Sequence, residues 1–323
     1  MSDPHCFKAL KRWGSNPKKE GFSLESIINK GKGELLMWVR RMVDTKRGSF
    51  EVFERGEGEP LAVTHLYSAY DERGNSFANP FTSCYHVYLI NLRGAGNSAI
   101  ASNESEYSME ETLLDLEAIR ESLGYQQWSF AGHSTGGMLA LKYAIQHPHS
   151  LTKIIAGGAA ASYEYGADPD SIYCSQNPNF KRIIEIMDQL DDPATPIEIR
   201  RKLIYEWALM SYCSEEKLQA SMKKPNSGKT VGERLTYFRT IESPTYDVRG
   251  QLKDVKVPAY IYCGKFDAQC PLKFSEEIAE LIPNSSLTIF EESNHNPFSE
   301  EEERFDEFVR KTLRGQTPAS LKL

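Results

Sequence analysis

Long apolar runs are missing from this sequence. No stretch approaches the roughly 18 uncharged residues of a membrane span. The opening Met1-Ser2-Asp3-Pro4-His5-Cys6 lacks the basic-then-apolar pattern of a secretory leader, so a cytoplasmic location is expected. Cysteine is sparse and scattered, at Cys6, Cys84, Cys174, Cys213, Cys263 and Cys270, with no C-x-x-C pair. That argues against a disulfide framework and predicts free thiols. A zinc site needs close Cys/His pairs, and His147-Pro148-His149 reads better as a helix end; no metal is expected. Positive charge is also in deficit. Lys plus Arg number 38 against 45 Asp plus Glu, a net charge of −7. A nucleic-acid binder needs a basic surface, so neither a nucleic-acid nor a membrane partner is expected. Internal repeats and low-complexity tracts are absent.

What remains is ordinary globular composition, 40% hydrophobic and 26% charged over 323 residues. One α/β domain with an inserted lid fits this length as well as two domains do. Residues 1–35 are basic and polar and read as an N-terminal extension, with a short helix around Leu24–Ile28. Phe50-Glu51-Val52-Phe53-Glu54 alternates with period two, predicting a half-buried antiparallel strand. Apolar runs at 61–66, 86–91, 128–131, 153–157, 259–263 and 287–290 predict further strands, covered on both faces. Ser108-Met109-Glu110-Glu111 is a capping box opening a helix with Leu113, Leu116, Ile119 and Leu123 on one face, closed by Gly124. Helices are also expected over 135–147, 272–281 and 299–313.

Strands and helices alternate, which predicts a mostly parallel, doubly wound sheet. The alternation breaks between 160 and 247. That block is Tyr-rich and helical with no clear strand, and Thr195-Pro196-Ile197-Glu198 reads as a second capping box with proline at the first helical position. The expected organisation is a core of 36–159 and 248–323 with a helical cap, or lid, over 160–247.

The chemistry concentrates in Gly132-His133-Ser134-Thr135-Gly136-Gly137. Here G-x-S-x-G follows a predicted strand and opens a predicted helix, the context of a nucleophile elbow. Small residues flank Ser134 because the turn is sharp. The helix N-terminus then faces the oxyanion that forms when a serine attacks a carbonyl. A nucleophilic serine needs a base and an orienting acid, which follow an elbow in the order acid, then histidine. Downstream histidines are His147, His149 and His295. The first two sit too near the serine to fold back, whereas His295 follows a late strand. Asp267 follows the strand before that one, in Gly264-Lys265-Phe266-Asp267. The earlier strand that carries the acid in some enzymes ends here in Ala156-Gly157-Gly158-Ala159-Ala160, with no carboxylate. A plain turn aspartate is the competing reading of Asp267.

These segments, with Asn91-Leu92-Arg93-Gly94-Ala95-Gly96-Asn97-Ser98 and Asn294-His295-Asn296-Pro297-Phe298, resemble the α/β-hydrolase superfamily over about residues 45–313. The branch they most resemble is that of proline iminopeptidases and related lidded esterases. The resemblance implies an α/β-hydrolase fold with an inserted helical cap, and no cofactor. It also implies that Arg93–Ser98 is a structural turn, where Asn91 stands in for a frequent aspartate, and not a dinucleotide loop. By alignment the Tyr67 and Thr135 backbone N–H groups are the oxyanion donors. The family's His-Gly is His65-Leu66 here, and Leu66 is expected to restrict the backbone and narrow the pocket floor.

The reaction implied is cofactor-independent serine hydrolysis through an acyl-enzyme, with a small-molecule ester, amide or short peptide as substrate. The first candidate is a proline iminopeptidase-like aminopeptidase or small-substrate hydrolase. A carboxylesterase or lactonase acting on a small apolar ester is the alternative within the fold. A non-catalytic ligand receptor is the alternative outside enzymology. An aminopeptidase of this type holds the substrate amine on lid carboxylates, for which Glu164, Glu185, Glu198, Glu206, Glu215, Glu216, Glu233 and Glu242 are available. Tyr163, Tyr165, Tyr173, Tyr205, Trp207 and Tyr212 would line an apolar pocket or pack the lid core.

Overall fold

The computed structural model describes residues 37–313. The expected N-terminal extension and Cys6 lie outside them. Ten strands follow in chain order: β1 (Val39–Thr45), β2 (Gly48–Arg55), β3 (Glu59–Val63), β4 (Ser68–Ala69), β5 (Tyr85–Ile90), β6 (Trp128–His133), β7 (Leu151–Gly157), β8 (Lys229–Thr230), β9 (Ala259–Gly264) and β10 (Ser285–Phe290). Eight of them form one sheet in the order β1-β2-β5-β3-β6-β7-β9-β10. β2 pairs antiparallel with both of its neighbours, and every pairing from β5 through β10 is parallel. The carboxyl ends of β3, β6, β7, β9 and β10 therefore share one edge. That is the mostly parallel sheet expected from the alternating pattern, in the arrangement that the α/β-hydrolase resemblance implies.

Apolar side chains cover both faces of the sheet. One cluster gathers Leu116, Trp128, Phe130, Leu139 and Ile261; the other gathers Tyr85, Tyr262, Phe290, Phe305 and Phe308. This corrects the half-buried reading of β2. Phe50, Glu51, Val52 and Phe53 are all buried. β2 lies inside the sheet, with Phe50 and Val52 in one cluster and Phe53 in the other. Glu51 is held by Asn91 Nδ2 at 2.8 Å and by the Asn97 amide at 2.9 Å. Those bonds and Arg40 keep its carboxyl below the usual range despite the burial that opposes them. They also account for Asn91. Its Oδ1 accepts the Tyr70 N–H at 2.7 Å while its Nδ2 donates to Glu51, a double role that a second carboxylate beside Glu51 cannot fill.

The helix Met109–Ser122 starts as its capping box predicts, with Ser108 Oγ accepting the Glu111 N–H at 3.1 Å. Thr195 does not behave likewise. The helix Ile197–Leu209 has Pro196 as its N-cap with no side-chain bond, and Thr195 Oγ1 instead donates to the Gln189 carbonyl at 2.6 Å. Nor is the last helix continuous. It divides into Pro297–Glu300 and Glu302–Leu313. Glu301, at the break, turns back to accept from the Glu292 amide and the Ser293 hydroxyl.

Between β7 and β9 the chain leaves the sheet and returns. Ser162 bridges antiparallel to Asp247, and 2.8 Å bonds run from Tyr163 N to the Tyr246 carbonyl and from Val248 N to the Ala161 carbonyl. The intervening segment holds the helices Phe180–Asp191, Ile197–Leu209, Glu215–Met222 and Gly232–Tyr237. It also holds a strand that the sequence pattern did not predict. β8 pairs antiparallel with β4, Ser68 opposite Thr230 and Ala69 opposite Lys229. Two residues are too few to display a period.

Candidate active site

The turn between β6 and the helix Thr135–Gln146 is carried by one residue. Ser134 has φ 56° and ψ −123°, the only positive φ outside glycine among the described residues. Such a conformation costs on the order of 1–3 kcal/mol and persists only where its surroundings impose it. They do so here. Ser134 N–H donates to the Gly157 carbonyl at 2.8 Å, and the Ser134 carbonyl accepts from Gly137 N at 2.9 Å and Met138 N at 3.1 Å. The flanking glycines are steric necessities. A Cβ on Gly132 would fall on the Gly136 carbonyl, and one on Gly136 would lie 2.5 Å from the Thr64 carbonyl. Thr135 is the first residue of the helix, so its N–H has no intrahelical acceptor.

Asp267, after β9, and His295, after β10, meet at the same edge. His295 Nδ1 lies 2.8 Å from Asp267 Oδ2 and 3.0 Å from Oδ1, and both residues are buried. Asp267 Oδ1 also accepts the Gln269 and Cys270 amides at 3.0 and 2.8 Å, which fixes the carboxylate plane.

The His295 loop is braced by residues that sequence reasoning missed. Glu300, buried, accepts the Asn294 amide at 2.9 Å and the Asn296 amide at 3.3 Å with Oε1, and the Cys213 amide at 2.7 Å with Oε2. Asn294 Oδ1 accepts the Ala268 amide at 2.9 Å, tying this loop to that of Asp267. The bonds to Ala268 and Cys213 join segments distant in sequence, so no local motif announces them.

Three imidazoles cluster here. The His133 and His295 rings lie 4.5 Å apart, and His133 Nδ1 is 2.9 Å from the Tyr262 hydroxyl. His65 Nε2 lies 3.1 Å from Thr135 Oγ1 and its Nδ1 3.0 Å from Ser68 Oγ. Burial first, then the neighbouring His295, pushes His65 down to about 3. The same two causes, with His65 added, hold His133 well below the ordinary imidazole value. Both are therefore neutral near pH 7, and of the three only His295 faces a carboxylate.

The loop after β3 differs from expectation. Leu66 does not narrow a pocket floor; its side chain is buried in the apolar cluster. The loop is instead fastened to the inserted segment, with Val231 N–H donating to the Tyr67 carbonyl at 2.8 Å. Burial raises the Tyr67 hydroxyl, while Thr135 and Arg239 oppose that shift.

Beside His65 and His133 lies a cavity of about 210 Å³. Ser68, Asn75, Tyr212, Asn226 and Asn296 contribute polar atoms and Phe77 and Phe298 contribute rings, and no carboxylate, lysine or arginine lines it. Neither this cavity nor a wider open hollow of about 450 Å³, at Glu164, Asp168, Lys273 and Glu277, is lined by Ser134, His295 or Asp267. Of the candidate lid aromatics only Tyr212 lines the smaller cavity. Tyr173 and Trp207 pack in a cluster of the inserted segment around Ile183. The candidate glutamates are paired elsewhere or exposed, except that Glu242 keeps its Oε2 buried without a hydrogen-bond partner. Glu164 pairs with Arg249, Glu185 and Glu206 with Arg182, and Glu198 with Arg201. Glu215 accepts from Tyr205, Glu242 accepts the Met109 amide, and Glu216 and Glu233 face solvent.

A family model described as alpha/beta hydrolase fold matches residues 68–302. A proline iminopeptidase of Xylella fastidiosa is 25% identical over 281 residues, spanning 79% of this chain and 89% of that protein. One from Saccharolobus solfataricus is 27% identical over 242 residues, 71% of this chain and 76% of its own length. Among solved structures, an alpha/beta fold family hydrolase from Bacillus anthracis is 62% identical with a TM-score of 0.85, covering 86% of this chain and all of that one. An esterase from Exiguobacterium antarcticum shares the fold at 24% identity and a TM-score of 0.63, covering 85% and 99%.

Proposed function

The chain belongs to the α/β-hydrolase family, and from that premise we propose that it is a serine hydrolase working through an acyl-enzyme, with Ser134, His295 and Asp267 as its triad. The observation that carries the reading is the strained Ser134 turn at the edge where His295 and Asp267 are hydrogen-bonded. His295 takes the Ser134 hydroxyl proton as Oγ bonds to the carbonyl carbon. Asp267 keeps Nδ1 protonated and stabilises the imidazolium. The tetrahedral oxyanion accepts from the Tyr67 and Thr135 N–H groups. His295 then returns the proton to the departing alcohol or amine, and a water activated in the same way releases the acid. The segment 160–247 acts as the lid.

The substrate this reading favours is a small uncharged ester. What supports it is the cavity next to His65 and His133, which is lined by hydroxyl, amide and ring side chains and by no carboxylate to hold an ammonium group, although Ser134 and His295 themselves are not in its lining. Aminopeptidase action is the second reading, favoured by similarity to the proline iminopeptidases. Short nitrophenyl esters against aminoacyl-naphthylamides separate the two. The five described cysteines are free, in keeping with action in a reducing compartment such as the cytoplasm.

The deciding experiment is intact mass after fluorophosphonate treatment. Wild-type protein should gain one adduct, and Ser134→Ala and His295→Ala should gain none. Folded wild-type protein that stays unlabelled would overturn the mechanism and turn attention to ligand binding without turnover.

A further inference from the structure

Arg234 is the most deeply buried cation among the described residues, 1% exposed, on the helix Gly232–Tyr237 of the inserted segment. Its guanidinium donates through Nε to the Leu66 carbonyl, through Nη1 to the Arg93 carbonyl at 3.1 Å, and through Nη2 to Thr112 Oγ1 at 2.7 Å. No ion pair among the described residues includes it, although Asp115 and Glu242 exert attraction from further away. Burial draws the group down to about 10, so it is charged at neutral pH.

A buried charge without a direct counter-ion is a costly anchor, and an apolar side chain would hold two elements together at less expense. The position of its acceptor accounts for the charge. Leu66 C=O and Tyr67 N–H belong to one trans peptide, so they point in opposite directions. With the carbonyl turned to Arg234, the N–H is turned away from it. No acceptor meets the Tyr67 N–H among the described residues. The peptide is held from its other flank as well, by Val231 N–H on the Tyr67 carbonyl and by the pairing of β4 with β8. A cation on the carbonyl oxygen polarises the peptide and strengthens its N–H as a donor.

We propose that Arg234 is a positioning residue for the reaction: from the lid it orients and polarises the Leu66–Tyr67 peptide, so that the Tyr67 N–H is a preorganised oxyanion donor. The proposal rests on the serine-hydrolase reading above. It also accounts for leucine where the resembled family has glycine. The loop derives its geometry from the lid and from the burial of Leu66, and backbone freedom is not required.

The test compares Arg234→Met, Arg234→Lys and Thr112→Val in the full chain, with nitrophenyl acetate turnover, fluorophosphonate labelling rate and melting temperature as readouts. Arg234→Met should lower kcat and labelling rate about 10- to 100-fold, with KM changed less than about twofold. Arg234→Lys keeps a charged donor and should recover kcat to within about fivefold of wild type. Thr112→Val removes a different Arg234 partner. It should lower the melting temperature while leaving kcat within about twofold. Wild-type kcat in Arg234→Met, or an equal kcat loss in Thr112→Val, overturns the proposal. If Arg234→Met does not fold, Arg234→Gln, which keeps a donor and loses the charge, takes its place, and wild-type kcat in that variant overturns the proposal. Failure of the underlying reading has a separate signature, a wild-type protein that takes no adduct at all. Normal labelling of both wild type and Arg234→Met removes only the role of Arg234.

Discussion

Asp267 presents both oxygens to His295 because two backbone amides hold its carboxylate in plane. His295 in turn sits between Asn294 and Asn296, whose amides share one oxygen of Glu300. Glu300 thus sets the height of the imidazole without touching it. Glu300→Ala should leave three amides without their acceptor. It should also lower kcat by about 10- to 100-fold, the scale on which small displacements of a catalytic group act. A steady-state assay beside a melting curve checks this; unchanged kcat in a destabilised protein would make Glu300 purely structural. At this scale the sharp turn at Ser134 and the approach of His295 to Asp267 were legible from local context, since each residue follows a strand. Glu300 and Arg234 were not. Arg234 acts on backbone groups distant in sequence, and Glu300 joins two nearby amides to the remote Cys213 amide, so neither shows a recognisable spacing.

Helix starts show how far a motif predicts an element. Ser108 and Thr195 stand at the same kind of sequence, yet only Ser108 caps. Proline after Thr195 places Pro196 itself at the cap position, and the threonine hydroxyl bonds backward to Gln189. Ser108→Ala should therefore cost about 1 kcal/mol of stability, and Thr195→Ala clearly less, as urea unfolding of the two variants would show. Strand prediction followed the same division. The six apolar runs each became a strand. The period-two reading misjudged β2, because alternation marks a sheet face left to solvent and here neither face is. β8 escaped notice because its pairing partner, and not its own sequence, makes it a strand.

For the molecule as a whole, two neutral imidazoles carry a pH dependence. His65 and His133 have depressed values when folded and titrate near 6.5 when unfolded. Above that pH they are neutral in both states and cost nothing. As pH falls below it the unfolded chain takes up protons that the folded one refuses, so stability declines. The decline is about 1.4 kcal/mol per pH unit for each such group until its folded value is reached. Urea midpoints should fall between pH 7.5 and 5.5, and His133→Gln should show a shallower fall. An identical slope in that variant would assign the loss to other groups.

The pairing of Ser162 with Asp247 brings the two ends of the inserted segment side by side. By that geometry the segment is a cassette, joined to the sheet at a single stem, which evolution or an engineer can exchange for another of different length. The Arg234 and Val231 contacts withdraw part of that freedom. A foreign cassette grafted at the stem would leave the loop after β3 unsupported, unless residues 229–234 travelled with it. In this chain, new specificity is thus more accessible by changes upstream of Lys229 than by replacement of the whole module.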